Sequence, residues 1–136
     1  MDFLFESPVS PENVLRRVME DGFRLSKDGV FSYLFDDQGE YGWRIGDSRQ
    51  LDAIVTDMGA DRWAESVVGI SVYFPGENGG GELIFQPDRR TISFLITVDR
   101  KNIPGSMFCD MGWYLGALRP TFEALGATGV ETTDVA

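Results

Sequence analysis

Apolar and polar positions alternate most clearly over residues 68–74 and 91–98. Val68, Ile70, Val72 and Phe74 fall on one side of the first stretch, and Ile92, Phe94, Ile96 and Val98 on one side of the second. Period two over this length predicts strands of a sheet with one well-buried face. The opposite positions include Tyr73 and Leu95, so partial cover is expected there too. A strand over residues 82–86 is read between the two, with a loop at 75–81 and a tight turn at Pro87-Asp88-Arg89-Arg90. Earlier in the chain, residues 23–26, 30–35 and 41–45 read as three short strands, and Phe31, Tyr33 and Phe35 share a face. Residues 2–6 suit a short edge strand or an ordered arm.

Helical spacing appears three times. Ser10 as N-cap, Pro11 at the first helical position and Glu12 in the first turn open a helix with an apolar stripe of Val14, Leu15, Val18 and Met19. Gly22 suits the left-handed position that ends it. Asp47-Ser48 announces a second helix, in which Leu51, Ile54, Val55 and Met58 recur at helical spacing before Gly59. A third is expected over residues 106–125, kinking or restarting near Leu118 because Pro120 lacks an amide hydrogen. Val130 to Thr132 can add an edge strand in an otherwise polar tail. The expected fold is α+β. A mainly antiparallel sheet of five to seven strands carries an N-terminal helix, a short middle helix and a C-terminal helix. With 136 residues and no composition break, the chain reads as one domain over 1–136.

Composition narrows the chemistry. The 43% of hydrophobic residues suffices for a core without metal or disulfide, and Cys109 is the only cysteine. Its apolar neighbours make it a buried structural thiol. There is no histidine, which removes the commonest general base near neutral pH and the commonest metal ligand. Acids outnumber bases 22 to 12, giving a net charge of −10. That surplus opposes a nucleic-acid partner and suits a basic protein. The first residues carry acids where a signal peptide carries bases, and no run approaches the ~20 apolar residues of a membrane helix, so the expected setting is the cytoplasm.

The candidate motifs point away from catalysis. Asp36 and Asp37 sit in a glycine-containing turn without the further oxygen ligands of a calcium loop, so neither metal nor cofactor is expected. The glycines of residues 76–81 are followed by a strand rather than a helix, with Glu77 and Glu82 alongside, which argues against a phosphate cradle. No serine or cysteine has its usual activating base. The charge itself is localised: residues 20–65 hold eleven acids against five bases, or −6 of the −10. Tyr41, Trp43 and Trp63 flank this stretch, and aromatic anchors within a charged rim are how tight interfaces are built. The candidate partner-binding residues are therefore Asp36, Asp37, Glu40, Tyr41, Trp43, Asp57, Asp61, Trp63 and Glu65.

As a small, acidic, cysteine-poor α+β chain with those residues bordering acid-rich loops, the protein resembles the bacterial immunity proteins of polymorphic or contact-dependent toxin systems. The resemblance implies a non-enzymatic cytoplasmic protein that binds and neutralises one toxin domain, often by covering a basic active site. Residues 11–125 are also similar in order to the secretion-chaperone fold. There, Leu34-Phe35-Asp36-Asp37-Gln38-Gly39-Glu40 and Trp43-Arg44-Ile45 stand where such chaperones place a hairpin. That resemblance implies a homodimer binding an effector protein. The added N-terminal strand, the long meander over residues 67–98 and Pro120 depart from it. A third class, an enzyme using carboxylate acid–base chemistry, predicts acids converging in a concave pocket.

Overall fold

A computed structural model describes residues 1–36, 39 and 42–133. Among these lie three α-helices and one seven-stranded antiparallel sheet, an α+β fold as the patterning predicts. The elements are β1 (Asp2–Phe5), α1 (Pro11–Glu20), β2 (Val30–Asp36), β3 (Arg44–Asp47), α2 (Leu51–Met58), β4 (Val67–Tyr73), β5 (Gly80–Phe85), β6 (Thr91–Val98), α3 (Met111–Ala124) and β7 (Ala127–Glu131). The strands lie in the order β3-β2-β4-β5-β6-β1-β7.

All three helices pack on one face of this sheet. Phe3, Phe31, Val68, Ile70, Val72, Leu83, Phe85, Ile92 and Phe94 point to that face and form one buried cluster with the helices. The helices supply Val14, Leu15 and Val18 from α1, Val55 and Met58 from α2, and Tyr114, Leu118 and Phe122 from α3. The i, i+4, i+8 spacing of the α3 residues keeps them in one stripe. Leu34, Val67 and Ile84 point the other way and form a second small cluster, which Trp43 covers. The partial cover expected from Tyr73 and Leu95 is thus supplied by an indole, while Leu95 stays exposed.

Cap chemistry sets the helix boundaries. The Ser10 hydroxyl accepts from the Asn13 amide at 3.4 Å, and Gly22 adopts φ +96° after α1. Asp47 and Gln50 form a reciprocal capping box, but it closes a short 3-10 turn at Ser48–Gln50, and α2 proper begins at Leu51. The Asp110 carboxylate accepts from the Trp113 amide at 3.1 Å and starts α3.

Several elements differ from the sequence reading. β1 is interior rather than an edge, pairing with β6 through Phe3–Ile92 and with β7 through Phe3–Val130. Residues 23–26 form no strand; Arg24 makes a single bridge to Tyr73, because β2 pairs with the other half of β4. The third strand starts at Arg44 rather than 41, and Tyr41, like Asp37, Gln38 and Glu40, lies outside the described residues. α3 starts at Met111, since Pro104-Gly105, with Gly105 at φ +76°, turns the preceding residues into a small hairpin closed by the Asn102–Cys109 bridge. α3 then runs unbroken past Pro120. Gly116, whose carbonyl would have received the missing amide, is solvent-exposed, so water can satisfy it.

Candidate functional site

Five of the nine candidate residues gather at one corner of the sheet. Asp36 ends β2 opposite Val67, and Glu65 lies two residues before Val67 in the chain. Asp57 closes α2, and Asp61 and Trp63 occupy the 3-10 turn that follows. The corner is held by the tilted contact of Trp63 with Phe35, with ring centroids 4.7 Å apart and planes at 33°. Arg62 lies 5.5 Å from the Trp63 ring and donates to both Asp57 oxygens at 2.6 Å. The Trp63 indole N–H reaches the same carboxylate at 3.4 Å.

The four carboxylates at this corner are not equivalent. Asp57 is neutralised by Arg62, so its role is to hold the turn. Asp36 is only 9% exposed, which withdraws it from the water-facing rim. Asp61 and Glu65 are exposed and form no ion pair with a described residue. Beneath them Arg89, 8% exposed, donates to the carbonyls of Trp63 at 2.7 Å, Gln86 at 3.0 Å and Phe85 at 3.3 Å. It pins the corner to the β5–β6 turn, and burial lowers the pKa of its guanidinium. The sequence marks Arg89 only as part of a tight turn; nothing in its neighbours announces a buried cation.

Trp43 lies on the opposite face from Trp63. A methyl group on Gly69 would come within 2.8 Å of the Trp43 ring, so the glycine leaves the room the indole occupies over β4. Both indoles are half-buried and packed against their own chain, so neither protrudes as a free anchor. Asp37, Glu40 and Tyr41 fall outside the described residues.

The acids spread over the surface rather than converging. Among the described residues no three of Cys, Asp and Glu come together as metal ligands. Of the acids that line clefts, Asp21 bonds Arg17 and Thr121 and Glu123 bonds Arg119, while Asp61 borders a hollow beside Pro11 and Met58 without an ion pair to a described residue. Glu82 is the one described carboxylate whose pKa is pushed upward, by burial on the helix-free face between Ser71 and Leu95. No helix among the described residues is long and apolar enough to cross a membrane. Comparison with known proteins finds no family model, curated protein or solved structure that matches the chain.

Proposed function

We propose that the chain is a non-enzymatic, cytoplasmic binding protein that neutralises a basic partner protein, a toxin domain, by stoichiometric occlusion. The observation that carries this reading is the exposed, unpaired pair Asp61 and Glu65 on a rigid corner, within a chain of net charge −10. Fixed carboxylates on a stiff platform steer a cationic surface toward them, and such steering raises association rates by about 10- to 1,000-fold. Asp37 and Glu40 extend the same acidic stretch in sequence. The test uses the protein encoded by the adjacent reading frame as probe. Its association should slow about tenfold or more in the variant Asp61→Asn/Glu65→Gln, and the wild-type rate should fall steeply with salt. An on-rate unchanged by both would overturn the electrostatic mechanism.

A second reading, an effector-binding chaperone, is favoured by one feature. Ile103, Met107 and Phe108 are 47%, 73% and 62% exposed on the hairpin before α3. Exposed apolar groups so close together suit capture of another chain. A homodimer by light scattering would support this reading, and a monomer forming a 1:1 complex would support the first.

A further inference from the structure

At the opposite end of β4 from the acidic corner, an open cleft of about 510 Å³ runs between the end of α1 and the side of α3. Its lining includes the buried Phe23, Phe74 and Thr121 together with Pro75, Trp113 and Pro120. A concave, mainly apolar site of this size with few polar groups is the usual form of a small-molecule site.

Arg17 and Asp21 are the charged groups of the lining, joined as an ion pair. Thr121 donates to one Asp21 oxygen at 2.5 Å, and Arg17 Nε donates to both at 3.2 and 3.3 Å. These bonds hold the Asp21 carboxyl below its ordinary range, so it stays ionised and fixes the guanidinium. The two terminal nitrogens of Arg17 donate to no described residue, although Arg17 lines the cleft. Two further cations lie near Phe74 and Trp113 without lining the cleft, and Lys101 is ion-paired with Glu77 at 3.3 Å. Arg24 donates to the carbonyls of Phe74 and Glu77, and the Lys101 ammonium lies 4.6 Å from the centre of a Trp113 ring. A cation already on Trp113 disfavours a second one there. Arg17 is thus the basic side chain that lines this aromatic cleft.

We propose that this cleft binds a small aromatic anion, its ring against Trp113 and Phe74 and its carboxylate or sulfonate on the free edge of Arg17. The fork of guanidinium donors suits such a planar or tetrahedral oxyanion. This site is independent of the acidic corner, and neither proposal depends on the other.

The probe is 1-anilinonaphthalene-8-sulfonate, followed by its own fluorescence and by quenching of tryptophan. Saturable 1:1 binding is expected, with most quenching lost in Trp113→Phe. Arg17→Gln should weaken binding at least tenfold, and Ala117→Phe, which fills the cleft, should abolish it. Arg119→Gln, beside a different surface hollow, should leave it unchanged. 3-Phenylpropionate should displace the probe, and its uncharged amide should do so at least tenfold less well. Each variant is checked for a cooperative thermal transition, and Ala117→Phe decides the case if Arg17→Gln is unfolded. Non-saturable binding, sensitivity to Arg119→Gln instead of Arg17→Gln, or equal displacement by acid and amide would overturn the proposal.

Discussion

Gly81 shows how little slack the sheet has. A Cβ at this position would lie 1.8 Å from the Leu95 carbonyl oxygen, and one on Gly80 2.1 Å from that of Val72. The glycines that resemble a phosphate loop in sequence are therefore needed, at these two positions, for close passage between backbones. Gly81→Ala should lower stability by more than about 3 kcal/mol, beyond the ordinary cost of overpacking, as read from urea unfolding. Asp21 gives a prediction with a pH sign. Its folded pKa is lowered, chiefly by the Thr121 hydroxyl and then by Arg17. The resulting stability is complete above the pKa of an unfolded aspartate and disappears as pH falls through the depressed folded value. Thr121→Val should therefore be less stable than the wild type at about pH 7. The gap should close in acid, and unfolding midpoints measured across that range would show it. Equal midpoints at neutral pH would mean the hydroxyl contributes nothing.

At the scale of elements, what the sequence reveals depends on whether an element answers to its own residues. The cap at Ser10 and the alternation of β4 and β6 are local signals that the structure follows, while the cap at Asp47 closes a 3-10 turn ahead of α2. The stretch at 23–26 has strand-like residues, yet only Arg24 pairs, because strand formation needs a free edge along its whole length. Residues 106–110 have helical spacing in part, but Pro104-Gly105 commits them to a hairpin before Asp110 can cap α3. Pro120 is the reverse case: a helix breaker by rule that α3 absorbs on its wet side. Pro120→Ala restores a donor for the Gly116 carbonyl and should stabilise the protein by about 1–3 kcal/mol, measured as a higher urea midpoint. No change would indicate that Gly116 already has an equivalent partner.

For the molecule as a whole, the charge is legible in sequence and its geography only in part. Counting acids finds the stretch that contains Asp57, Asp61 and Glu65. It cannot find that Asp57 is neutralised by Arg62, that Asp36 is withdrawn, or that Trp43 and Trp63 lie on opposite faces. Those facts depend on register and on side chains distant in sequence. The cleft beside Trp113 is likewise invisible, since Arg17, Phe74 and Trp113 come from three stretches distant in sequence. The interior position of β1 joins the sheet into one unit: Phe3, 2% exposed, stacks on Phe122 with centroids 4.5 Å apart. Phe3→Ala should cost about 3–5 kcal/mol. It should also leave tryptophan fluorescence and far-UV dichroism with coincident transitions, because β1 cannot fray alone. Separate transitions would show β1 and β7 to be a detachable flap. That same placement sets a timetable for synthesis. β1 leaves the ribosome ahead of every other strand, yet both of its neighbours, β6 and β7, follow far behind it. Phe3 and Phe5 must therefore wait for residues 91–131 before the sheet closes around them, a late, long-range event of the kind that makes folding slow.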